Sequence, residues 1–325
     1  MVAIRPGGRE TLRLVDLPIP RPGPDEILVR VKALGLNPVD VKIRGGYRAE
    51  GRSWPLPLGW DVAGVVEQIG QVVTRFKPGD EIFYCGDLTH PGASADYHLV
   101  NQRLATLKPA SLSFVEAASL PLVGSTMLQG LGRQARLVKG ETVAIFGAAG
   151  GIGGMGVMLA RSMGARVIGV CSGHNTDYLR ELGADEVIDY TRVDPVKAIR
   201  ALTGGRGAEV VVDTVGGEGF QQAIESLAPF GRLLFLNAFP ENAPPLSALN
   251  PLRLTNGALH CVMVVPSGEL MGELAEHIDK GTITPKVEQV LPLERLADGH
   301  ARLESRHGRG KVVIELDMKM SESIS

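Results

Sequence analysis

The sequence predicts an α/β chain in which a doubly wound parallel sheet is inserted into a smaller, β-rich domain. Three observations predict it. Six short apolar runs, TVAIFG, RVIGV, EVIDY, EVVVDTV, RLLFLN and LHCVMVV, succeed one another between residues 142 and 265. Helical stretches such as GGMGVMLARSMG, VDPVKAIRALTG and GFQQAIESLAPF lie between several of them, the alternation of a parallel sheet with helices on both faces. Before this stretch, from Thr11 to Val100, the chain is strand-like and broken by turns, and after it β character returns in PKVEQVLPL and GKVVIEL. At 325 residues the chain also exceeds one ordinary core, so two domains are expected.

In the first stretch, ILVRVKALGL alternates apolar and polar residues in its first half, as a half-buried strand does. PRPGPDE before it and NPVD after it are breakers. Near Ser113 the pattern changes. FVEAASLPLVGSTMLQGLGRQA carries apolar residues at three- and four-residue spacings and reads as helical segments interrupted by Pro121 and Gly124. The expected division is therefore 1–115 for the first part of the β-rich domain and 116–265 for the parallel sheet. Residues 266–325 form a helix, SGELMGELAEHIDKG, and the return to the first domain.

Composition narrows the function. A net charge of −2 gives no basic face for nucleic acid. No apolar run approaches the about 20 residues of a membrane span, and MVAIRPGG has no apolar signal core. Cys85, Cys171 and Cys261 are dispersed and odd in number, which fits neither a disulfide framework nor a CxxC metal site. A reducing, cytoplasmic setting is expected.

The strongest local signal is TVAIFGAAGGIGGMGVMLARSMGARVIGV. A β-branched strand runs into Gly147-Ala148-Ala149-Gly150-Gly151-Ile152-Gly153, then a helix, then a second strand. Glycine there lets backbone N–H groups approach a pyrophosphate, and the helix N-terminus adds partial positive charge. The alternative is a glycine turn used only for tight helix–strand packing. The second strand bears on which dinucleotide binds. An NAD site usually ends this strand with an acid that bonds the ribose hydroxyls. Here it ends in Cys171-Ser172-Gly173-His174-Asn175, with no acid before Asp177. Ser172, His174 and Asn175 offer donors to a phosphate, so NADPH is favoured over NADH, unless the loop is simply a polar surface turn.

Taken in order, GLNPVDVKIRGGY, PLPLGWDVAGVVEQIG, FKPGDEI, AASLPLVGSTMLQGL, the glycine turn, ELGADEVIDY and GRGKVVIEL resemble the medium-chain dehydrogenase/reductase superfamily, specifically its zinc-independent quinone oxidoreductase (zeta-crystallin-like) branch. The resemblance implies a GroES-like catalytic domain split by a Rossmann domain, with the active site between them. Zinc-dependent relatives place Cys where this chain has Asn37 and His in the segment of Gly59-Trp60-Asp61, so no metal is expected. By resemblance, Asn37, Asp40 and Tyr47 are substrate-pocket residues. Thr126 and Gln129 lie near the cofactor, Gly151 and Ile152 at its pyrophosphate, and Ser172 and Tyr190 at the adenosine phosphate. Arg306 is a cofactor contact, and Asn237, ending RLLFLN, joins the cofactor set with Gly150 and Gly153. The lysine that family members commonly carry shortly after Ser172 is missing. Other readings stand beside these: Asn37 stabilising a turn before Pro38, Asp40 paired with a nearby Lys or Arg, Tyr47 packing in the core, and His90 and His98 as ordinary surface or core histidines.

Without a metal, alcohol oxidation lacks its Lewis acid. Hydride addition to an electron-poor acceptor needs only orientation and donors for the developing oxyanion. The expected activity is hydride transfer from NADPH to a quinone or α,β-unsaturated carbonyl compound. The alternatives are an enoyl-thioester reductase and a non-catalytic NADPH-binding or structural protein. The run Ala258–Val265 is expected as an edge strand through which two chains pair in a homodimer.

Overall fold

The computed structural model describes residues 1–236, 244–305 and 308–317. They form two compact units, one of Met1–Ser125 with the described residues from Pro266 onward, the other of Thr126–Val265.

The first unit begins with β1 (Val2–Ala3), β2 (Leu12–Arg13), β3 (Glu26–Gly35), β4 (Leu56–Pro57), β5 (Asp61–Ile69), β6 (Glu81–Cys85), β7 (Tyr97–Asn101) and β8 (Ala105–Leu107). The short β1 pairs antiparallel with β2 and β4. In the main sheet β3, β5, β6 and β8 are successive antiparallel neighbours, and β7 also pairs with β3. Ile27, Val29, Val31 and Leu34 of β3 pack with Val62, Ile82 and Tyr84 in one core. Three helices belong to this part of the chain: α1 (Pro38–Arg44), α2 (Phe114–Ala118) and α3 (Pro121–Met127).

The unit continues ten residues past the expected division at 115, for two reasons. A Cβ on Gly35 would lie 2.1 Å from the carbonyl oxygen of Ala118, so α2 rests directly on β3. Leu122 at the start of α3 donates its N–H to Asp61. Pro121 does open a helix, as suits a residue without an N–H. Gly124, expected as an interruption, lies inside α3 instead. Its missing side chain admits Leu274, whose Cδ2 would be 2.5 Å from a Cβ there.

In the second unit, β9 (Thr142–Phe146), α4 (Gly151–Ser162), β10 (Arg166–Cys171), α5 (Thr176–Leu182), β11 (Glu186–Asp189), α6 (Pro195–Leu202), β12 (Ala208–Asp213), α7 (Glu218–Glu225), β13 (Leu227–Phe235), α8 (Asn250–Thr255) and β14 (Ala258–Cys261) follow in turn. The six strands are parallel and ordered β11-β10-β9-β12-β13-β14. Chain direction across the sheet reverses between β9 and β12, the switch point at whose carboxyl ends such sheets bind ligands. The edge strand is shorter than the expected Ala258–Val265, because beyond Val262, whose N–H still bonds Phe235 O, the backbone finds other partners. The Gln129 amide donates to Met263 O at 2.9 Å and accepts from Val265 N at 3.1 Å.

After α9 (Gly268–Asp279) come β15 (Val287–Pro292), α10 (Leu296–Glu304) and β16 (Lys311–Glu315). β16 pairs with β3 and carries β15 beside it, so the end of the described chain completes the sheet that the beginning started.

Candidate functional site

The glycine turn connects β9 to α4. Gly147 takes φ +72°, where a side chain is strained, and a Cβ would lie 2.3 Å from Thr214 Oγ1. A Cβ on Gly153 would lie 2.3 Å from Gly147 O. The first-turn N–H groups of a helix have no intrahelical acceptor. The N-cap of α4 is Gly150, which brings no side chain to accept from them. A Cβ there would meet only Gly147 O, at 3.6 Å, so no side chain crowds this cap. N–H groups, helix dipole and uncrowded cap together fit a pyrophosphate.

At the neighbouring strand ends, Cys171 and Asp189 stand side by side in register. Tyr190 N donates to Cys171 O. Asn175 is buried and turned inward, its Nδ2 donating to Ser172 Oγ at 3.1 Å, so it shapes the turn that presents Ser172. His174 and Tyr190 are exposed beside it. Burial, with Asp189 nearby, pushes the Cys171 thiol up to about 11 and leaves it unreactive.

Across the switch point is an acid that pattern reading passes over. Asp213 ends β12 opposite Phe146. Its Oδ1 accepts from Val215 N at 2.8 Å and Gly216 N at 3.0 Å, while Oδ2 is buried with no hydrogen-bond partner. Burial pushes this carboxyl above the ordinary carboxylate range. Thr214 Oγ1 donates to Phe146 O, which holds the turn after β12 against the glycine turn. The only sequence signal is one acid ending the apolar run EVVVD. Of the other expected cofactor residues, Thr126 is buried and Gln129 is committed to Met263 and Val265. Asn237 and Arg306 lie outside the described residues.

In the first unit, the start of α1 is an internal network. Asn37 caps the helix and its N–H donates to Asp40 Oδ2 at 2.7 Å. Its Nδ2 donates to Asp61 Oδ2 at 2.8 Å, and its Oδ1 accepts from Lys311 Nζ. Lys311 also donates to Leu36 O at 2.8 Å and reaches Asp61 Oδ2 at 3.3 Å. All four side chains are buried. Burial pushes Asp40 up to about 8; the Asn37 N–H opposes this, the Asp61 charge adds to it, and the Lys311 charge also opposes it. Asp61 accepts from Asn37, Lys311 and Leu122; burial pushes its carboxyl above the ordinary range, and the Lys311 charge and these donors oppose that rise. Asn37 and Asp40, expected as pocket residues, therefore act on the position of α1. The pairing of Asp40 with a surface cation does not occur, because its carboxyl is inside.

The far end of α1 is equally anchored. Buried Arg44 donates to His300 Nδ1 at 3.0 Å and to Glu304 Oε1. Burial, with the Arg44 charge second, holds the His300 imidazole down at about 3 and hence neutral. Tyr47 follows at the Gly45-Gly46 turn, its N–H bonded to Lys42 O. Its half-buried ring packs on the core, with the Arg48 guanidinium 5.4 Å from the ring centroid. Of the three expected pocket residues, Tyr47 alone is not fully buried.

A zinc ion does not suit these residues. An amide bridged by a lysine ammonium stands where a thiolate ligand is required. Among the described residues no group of His, Cys, Asp and Glu is placed to hold a metal. His98 is buried against Tyr84, and His90 lies at the surface beside Asp87. Among the described residues no helix is long and apolar enough to cross a membrane.

Comparison with known proteins places this geometry. Residues 23–110 match the alcohol dehydrogenase GroES-like domain and residues 151–277 the zinc-binding dehydrogenase family model. A quinone oxidoreductase of Pseudomonas aeruginosa is 32% identical over 95% of this chain and 96% of its own. A crystal structure of an NAD-dependent alcohol dehydrogenase superposes with a TM-score of 0.90 at 32% identity, covering 97% of this chain and 99% of that one. The Escherichia coli quinone oxidoreductase complexed with NADPH superposes with a TM-score of 0.87 at 28% identity, covering 97% and 98%.

Proposed function

This chain belongs to the medium-chain dehydrogenase/reductase superfamily, on its zinc-independent quinone-oxidoreductase side, and from that premise we propose that it transfers hydride from NADPH to a quinone or α,β-unsaturated carbonyl compound. The observation that carries this reading is the glycine-capped start of α4, open to a ligand, at the switch point of the parallel sheet. When bound, NADPH supplies the hydride. The N–H groups of Gly151, Ile152 and Gly153 take the pyrophosphate, with Gly150 as the residue that keeps the approach open. Ser172, His174 and Tyr190 face the adenosine phosphate, with Asn175 supporting the turn. β10 ends in a thiol rather than an acid, which favours NADPH over NADH. Thr126, Asn237 and Arg306 complete the proposed cofactor set, with Gln129 acting through its hold on Met263 and Val265.

On the acceptor side, Tyr47 donates a hydrogen bond to the oxygen on which negative charge develops. Asn37, Asp40, Asp61 and Lys311 fix the helix that ends at its turn. No side chain at the start of α1 is suited to ionise an alcohol through a metal, so the favoured acceptors are already electron-poor. We further propose a cytoplasmic homodimer joined through the edge strand β14, whose outer backbone groups invite a two-fold partner.

The test is steady-state oxidation of NADPH with separate panels of quinones, enones, enoyl thioesters and simple aldehydes. The expected result is turnover with quinones or enones. Turnover confined to enoyl thioesters or aldehydes overturns the acceptor assignment, and tight NADPH binding without any turnover assigns the chain to a non-catalytic role.

A further inference from the structure

The turn after β10 presents a serine, a glycine and a histidine to the proposed phosphate site but no lysine or arginine. The strand beside it supplies one. Because Cys171 and Asp189 are in register, whatever follows Asp189 adjoins whatever follows Cys171. The Asp189 carboxylate is pressed against the turn, its Oδ2 2.3 Å from where a Cβ on Gly173 would sit. Oδ1 is held by Thr191, at 3.0 Å from N and 2.6 Å from Oγ1. Those bonds, the Thr191 hydroxyl foremost, hold the carboxyl below the usual carboxylate range. On the other oxygen, Arg192 Nε lies 3.4 Å away, with 84% of the arginine side chain exposed.

We propose that Arg192, tethered by Asp189 at the rim of the Ser172-Gly173 turn, is the cation that receives the 2′-phosphate of NADPH. This assignment rests on the NADPH reading above. A pair this exposed adds little to folding. The tether uses Nε, and the fork of a guanidinium matches a phosphate by two parallel hydrogen bonds. Asp189 has a second consequence. It brings a fixed negative charge to the phosphate site, so it positions Arg192 while limiting how strongly NADPH is preferred. The two residues therefore act in opposite directions on one ratio, which an ordinary surface ion pair does not do.

The experiment titrates the full chain with NADPH and NADH by nicotinamide fluorescence, and with 2′,5′-ADP and 5′-AMP by competition, so that no turnover is needed. Arg192→Ala is expected to weaken NADPH and 2′,5′-ADP about tenfold, leaving NADH and 5′-AMP within about twofold. Asp189→Asn, which keeps an acceptor for Thr191, is expected to tighten NADPH about threefold without tightening NADH. A wild-type preference for NADPH that survives Arg192→Ala overturns the assignment of Arg192. A wild-type chain that binds NADPH no more tightly than NADH overturns the cofactor reading itself.

Discussion

Two helices of this chain start in opposite ways. At α4 the N-cap is Gly150, without a side chain, and the first-turn N–H groups are left to whatever approaches. At α1 the N-cap is Asn37, which forms a reciprocal box with Asp40, is followed by Pro38 and is bridged by Lys311 to Asp61. The first end is built from backbone and open to a ligand; the second is built from side chains and closed on itself. A helix end whose capping side chains take part of the first-turn N–H groups and close over it is less suited to an anion than one capped by glycine.

The closed end breaks with the largest expected effect. Lys311→Met leaves Asp61 buried without its counter-charge and should destabilise folding by about 3–5 kcal/mol, measured by urea denaturation. Adding Asp61→Asn should recover part of that loss. A single variant of wild-type stability contradicts the network.

The open end is converted to the closed kind by Gly150→Asp. Gly150 has extended backbone angles that any residue adopts, so the new carboxylate caps α4 without strain. Folding stability should rise by a few tenths of a kcal/mol, whereas NADPH affinity should fall about 100-fold as the carboxylate takes the anion's place. Unchanged affinity contradicts a pyrophosphate at this helix end.

How far the sequence revealed these two ends follows from distance along the chain. The glycine turn lies within seven successive residues, so its spacing between strand and helix was visible at once. The network at α1 joins Asn37 to Lys311, 274 residues apart. Nothing local distinguishes a lysine in GKVVIEL from one whose amine reaches water, and Asn37 and Asp40 were legible only as a pattern, not as a buried cluster. Arg192 escaped because the turn it is proposed to serve follows a neighbouring strand, and Asp213 because its one mark in the sequence is an acid ending an apolar run. Gly124 misled because a helix tolerates glycine where a side chain such as Leu274 must pack close.

Tyr47 follows the closed helix and is only half-buried. A donor lost from a dry site costs about 2.7–4 kcal/mol, and water near a partly exposed hydroxyl reduces that. Tyr47→Phe should lower kcat about tenfold with NADPH affinity unchanged, measured by steady-state kinetics and fluorescence titration. Wild-type turnover assigns Tyr47 to packing.

A pH dependence at the closed end gives a separate way to break the comparison. Asp40 is pushed up to about 8 in the fold, so its neutral form is the one the interior favours. Its contribution to stability is therefore present at low pH and lost as pH rises from the ordinary carboxylate range through about 8. Asp40→Asn should flatten the fall in melting temperature between about pH 5 and about pH 9, and an unchanged slope contradicts a neutral Asp40.

Hydride is proposed to leave a dinucleotide held at the open helix end for an electron-poor acceptor. The most direct test is a single-turnover reaction of the full chain with NADPH carrying deuterium at both C4 positions and an enone, analysed by mass spectrometry. One deuterium on the β-carbon of the saturated product, with the α-hydrogen drawn from water, is the expected result. NADPH bound at the start of α4 beside enones and quinones that all remain unreduced is the result that contradicts it.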